Sequence, residues 1–97
     1  MNKSILDALS DAICESYELY KPQLLVDTKT TREARKTFCY IAREKFIIDY
    51  ISIRDFLNID IRTIEHYTRG QKLNIEHRRF DAVKHYTEVI KKVLSLP

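Results

Sequence analysis

One glycine, two prolines and no tryptophan in 97 residues leave little to build turns from. Strand-rich folds of this size need many turn residues, so that scarcity excludes them. A single glycine also rules out a glycine-rich phosphate loop. Cys14 and Cys39 are too few and too isolated for a disulfide framework or a zinc site. Each lies beside apolar positions at helical spacing, which predicts reduced thiols in a core. No apolar run is long enough to cross a bilayer. The opening MNKSILDALSDAICES meets acidic residues too early for a secretory signal, so a cytoplasmic location is expected. His66, His77 and His85 have no metal-ligand spacing with each other or with the cysteines. His77 and His85 stand eight apart, too far along one helix to share an ion. No local Ser/His/Asp or Cys/His arrangement is present. Catalysis, a metal, a cofactor and a small-molecule substrate are accordingly not expected.

What is present favours helices. The composition, 44% hydrophobic and 32% charged, is that of a folded globular chain. The reading is all-α, a compact bundle of about five helices in a single domain over residues 1–97. A first helix starts at Ser4, where Ser4 and Asp7 have capping-box spacing, and ends near Leu19 with Ile5, Leu9, Ile13 and Tyr17 on one face. Residues 21–29 connect, with Leu24, Leu25 and Val26 tucked onto the core. Thr30 and Glu33 box the second helix, whose stripe is Ala34, Phe38, Ile41, Ala42 and Phe46 and whose end falls near Ile47. Two short helices follow, about 53–58 and 61–69, burying Ile53, Phe56, Leu57, Ile64 and Tyr67. Gly70 is read as a helix stop. A last helix over about 75–94 buries Phe80, Val83, Tyr86 or Thr87, Ile90 and Val93 or Leu94. Tyr17, Tyr67 and Tyr86 fit buried faces better than a stack of single-stranded bases, which leaves Tyr20, Tyr40 and Tyr50 unassigned.

Charge is unevenly spread. Residues 1–27 sum to −3 and the remainder to +6, with Lys29, Arg32, Arg35, Lys36, Arg43 and Lys45 crowded into one segment. Such asymmetry suits a face that meets a polyanion. Downstream, SIRDFLNIDIRTIEHYTR, residues 52–69, reads as a capped helix, a tight turn and a second capped helix. Ser52 and Asp55 have capping-box spacing, and Asp60 is a good N-cap. Two helices joined so closely form a helix-turn-helix, which places its second helix in a DNA major groove. Double-stranded DNA is therefore the expected partner. Arg62 is the candidate for guanine O6 and N7, and Ile61 for a thymine methyl. Thr63 suits a phosphate or base, and Arg69 a phosphate. Lys29, Arg32, Arg35 and Lys36 are candidates for backbone phosphates. Glu65 puts negative charge nearby and is in reach of Arg62 as a surface ion pair. His66 is read as packed inward beside Tyr67.

The same residues carry a family likeness. TREARKTFCYIAREKF followed by ISIRDFLNIDIRTIEHYTR resembles the C-terminal DNA-binding domain of the bacterial replication initiator DnaA, whose fold is that of the Trp repressor. Ala34-Arg35 looks like the alanine-arginine pair that opens the family's long helix. Asp60, Thr63, Ile64 and His66 match four positions of its G-G-R-D-H-T-T-V-x-H string. Asn58-Ile59 replaces the glycines and arginine, while Ile61 and Arg62 stand where the family has its base-reading histidine and threonine. The likeness implies a helix-turn-helix at about 52–69, with Lys29 and Arg32 in the family's basic loop. It spans roughly Ile5 to Arg69 and includes no ATPase module. The implied role is a small regulatory or mobile-element accessory protein rather than a complete initiator. The alternative is a helical interaction module that keeps the fold without specific DNA binding, its last helix forming a homodimer face.

Overall fold

The computed structural model describes residues 2–95, and among them every regular element is a helix. There are six: α1 (Asn2–Ser16), α2 (Lys21–Leu24), α3 (Lys29–Glu44), α4 (Tyr50–Leu57), α5 (Ile61–Glu76) and α6 (Phe80–Leu94). The all-α expectation holds. The additional helix is α2, a single turn with Pro22 in its first positions, where a missing N–H costs nothing.

α3 is the central element. It packs most extensively on α5 and also touches α1, α2, α4 and α6, while α1 and α6 lie against each other. Its stripe of Ala34, Phe38, Ile41 and Ala42 is fully buried, and Leu9, Ile13, Leu24, Ile53, Leu57 and Ile64 close the core around it. Cys14 and Cys39 are free and buried. Burial raises both thiols, Cys39 to about 12, which keeps them protonated. Leu25, Val26 and Phe80 are corrections. They are 50%, 55% and 78% exposed rather than tucked into the core, because the short α2 turns the chain outward and α6 begins only at Phe80.

The helix starts also differ from expectation. α3 is capped by Thr28, not Thr30. The Thr28 hydroxyl accepts from the Thr31 N–H at 3.2 Å, and the Thr31 hydroxyl accepts from the Thr28 N–H at 3.0 Å. α4 is capped by Asp49, whose carboxylate accepts from the Ser52 N–H at 3.1 Å and the Ser52 hydroxyl at 2.7 Å. Ser52 is thus inside the helix as the capped residue. Ile48 and Ile53, on either side of this cap, are both buried at the positions of a hydrophobic staple. Asp60 does cap α5, accepting from the Arg62 N–H at 2.9 Å.

Gly70 stops nothing. α5 runs through it to Glu76, and the last helix starts at Phe80 rather than near Ile75. The left-handed conformations that end helices are carried by Glu18, Asn58 and Arg78, with Ile47 taking the same conformation after α3. After the first three, the next N–H closes back five residues, as in Leu19 to Cys14 at 2.8 Å and Arg79 to Asn74 at 3.0 Å. Asn58 tolerates that geometry well, and Ile47, being β-branched, least. A Cβ added at Gly70 would meet nothing within 4 Å. Gly70→Ala should therefore raise stability by about 0.5–1 kcal/mol in urea unfolding.

Candidate nucleic-acid interface

α4 and α5 are joined by residues 58–60 alone. The left-handed Asn58 and the buried pair Leu57 and Ile64 fold the two helices against each other. This leaves the first turn of α5 outward: Arg62 is exposed, with Ile61 and Thr63 half-buried beside it. Because α5 packs along α3, that turn faces the start of α3. Arg32 and Lys36 from α3, Arg62, Thr63, His66 and Tyr67 from α5, and Asp27 line one open depression of about 550 Å³. Four of the residues expected to touch DNA are therefore brought together from segments thirty positions apart in sequence.

Their electrostatics are graded. Arg32 sits 3.8 Å from the Asp27 carboxylate, and Lys36 is 3.3 Å from Glu33 and mostly covered. Glu65 pairs with Arg69 at 3.9 Å rather than with Arg62. Among the described residues Arg62 has no ion pair, which leaves its guanidinium fork available to a ligand. Lys29 is exposed at the first position of α3. It and Arg69, whose side chain is 75% exposed, stand outside the depression.

Arg35 is the correction in this set. It is 2% exposed, and its Nε has no hydrogen-bond partner. It lies four residues after Thr31 and three before Phe38, both buried, so helical geometry turns it inward. A phosphate contact from this residue is excluded by its burial, and the 31–35–38–42 spacing was the available signal. His66 differs in the opposite sense. It is exposed and lines the depression, with its ring 6.3 Å from that of Tyr67. Asp27 was not singled out from the sequence, since an acidic residue in a connector carries no local signal. Arg43, part of the basic segment, is used internally, donating to the Ile48 carbonyl at 2.7 Å and lying 4.1 Å over the Tyr50 ring.

A second polar cluster sits where α1 meets α6. The Ser16 hydroxyl donates to Glu88 at 2.9 Å and lies 2.7 Å from His85 Nδ1. Because the Ser16 hydroxyl directs its proton to the Glu88 carboxylate, His85 Nδ1–H is the donor to Ser16, the reverse of a base-activated serine. His85 stacks on Tyr17 with ring centroids 3.8 Å apart. Burial, the largest influence, holds its pKa below the ordinary 6.5, against the opposing pull of Glu88. A neutral His85 thus contributes stability that is complete above 6.5 and is lost as pH falls through its lowered folded value. The thermal midpoint of the wild type should drop through that window, and that of His85→Gln should drop less.

Among the described residues, no helix is long and apolar enough to cross a membrane. No family model, curated protein or solved structure matches this chain.

Proposed function

We propose that this chain binds double-stranded DNA through α4 and α5 acting as a helix-turn-helix, with the first turn of α5 in the major groove. The observation that carries the reading is the shared depression of Arg62, Thr63, Arg32 and Lys36. Under this reading Arg62, exposed and without an ion pair among the described residues, reads a base edge, while Arg32, Lys36, Lys29 and Arg69 meet phosphates. Ile61 adds an apolar contact. The likeness to the initiator DNA-binding domain supports the same assignment, as does the three-residue turn. The role that fits is that of a regulatory or mobile-element accessory protein working in the cytoplasm.

Four phosphate-facing cations predict a plot of log affinity against log salt with a slope of about −3 to −4. Fluorescence anisotropy with a random duplex at stepped salt measures it. No binding at low salt overturns the proposal.

A homodimer is the second reading, favoured by the exposure of Leu73 and Phe80 near the junction of α5 and α6, at 52% and 78%. α6 itself gives one face to α1, burying Val89, so a dimer would use this corner rather than the whole helix. Sedimentation of wild type and Phe80→Ser distinguishes a dimer that dissociates in the variant from a monomer in both.

A further inference from the structure

The exposed side of α5 carries Arg62, Glu65, His66 and Arg69, and the carboxylate among them is the unexpected member. A carboxylate on a face that meets a polyanion repels it unless donors meet its oxygens. Glu65 has acceptor capacity to spare. Its contact with Arg69, at 3.9 Å, is beyond hydrogen-bond reach, and among the described residues its side chain accepts no hydrogen bond. Its side chain is 46% exposed. We propose that Glu65 is a specificity-determining residue that accepts a hydrogen bond from the N4 amine of a cytosine in the major groove. This inference rests on the DNA-binding reading above.

The chemistry selects the base. Major-groove donors are the amines of cytosine and adenine. Adenine sets its N7 acceptor beside the amine, and N7 repels the second oxygen of a carboxylate that reaches for both. Cytosine presents the amine alone, the pairing that glutamate and aspartate use. Guanine and thymine offer only acceptors or a methyl group there, and they are rejected. Arg69, one turn further along, offsets the charge of Glu65 without occupying its oxygens. Arg62 and Glu65, three residues apart on one face, are separated by about 4.5 Å along the helix axis. That is close to the ~3.4 Å between successive bases, so the guanine read by Arg62 and the cytosine read by Glu65 fall on neighbouring base pairs.

Selection from a random duplex library, run in parallel with wild type and Glu65→Gln, tests this. Wild type should enrich a site with a cytosine next to a guanine, and replacing that cytosine should weaken binding about tenfold or more. Glu65→Gln should lose the cytosine and gain adenine there, since an amide matches adenine N6 and N7, with the rest of the site unchanged. If Glu65→Gln enriches the same sequence and binds every duplex more tightly, Glu65 only repels DNA and the inference fails while the DNA-binding reading stands. If wild type enriches nothing and binds no duplex, both fail.

Discussion

Phe38→Ala is expected to lose about 3–5 kcal/mol of folding stability. Phe38 is fully buried at the middle of α3, and its ring stacks on Phe56 of α4 with centroids 5.5 Å apart and planes 12° from parallel. Truncation removes both the transfer free energy of the ring and the aromatic contact, and it leaves a void that neighbours on several helices cannot all fill. Natural domains have a margin of only about 5–15 kcal/mol, so the variant stands near the unfolding threshold. Urea denaturation should show a much lower midpoint for the alanine variant, with Phe38→Leu recovering much of the loss as the better-filling replacement. A change below about 1 kcal/mol for the alanine variant would mean that α3 is not the centre of the core.

Arg62→Ala is expected to weaken binding to the selected duplex by about 1–3 kcal/mol and to relax the preference at one base pair. The unfolding midpoint should not move, because Arg62 is exposed and has no ion pair among the described residues. Lys29→Ala supplies the contrast. It should weaken selected and random duplexes alike and reduce the salt slope by about one. Anisotropy titrations on both duplexes measure the two effects. Equal losses for Arg62→Ala on selected and random DNA would reassign it to a phosphate.

Helix content and the buried stripe of α3 were legible because apolar periodicity records burial directly, as Ala34, Phe38, Ile41 and Ala42 show. Caps were less so. Ser52 with Asp55 and Asp49 with Ser52 are both acceptable cap spacings, and the choice falls to burial of Ile48 and Ile53 on either side of Asp49. Gly70 misled because glycine permits a left-handed stop without requiring one. Chain reversal was instead accomplished by Glu18, Asn58 and Arg78, whose sequence gives no such signal except at Asn58. The members of the candidate site were mostly nameable from the sequence, but their convergence was not. Arg32 and Arg62 share a depression only because α3 and α5 pack lengthwise, and the same packing that exposes them hides Arg35.

The lengthwise packing also fixes how accurately α5 is aimed. Gln71 is 1% exposed, and its amide donates to the Thr37 hydroxyl at 3.0 Å; that hydroxyl also meets the Tyr17 phenol at 2.6 Å. Gln71 also accepts from Asn74 within α5, so α5, α3 and the residue that follows α1 are tied at one point. That point acts as a pivot, and Arg62 lies nine residues from it, a lever arm of about 13 Å. A tilt of about 10° there would swing Arg62 by about 2 Å, enough to miss a hydrogen bond. The pointing of the first turn of α5 is thus governed from a buried amide roughly two and a half turns away.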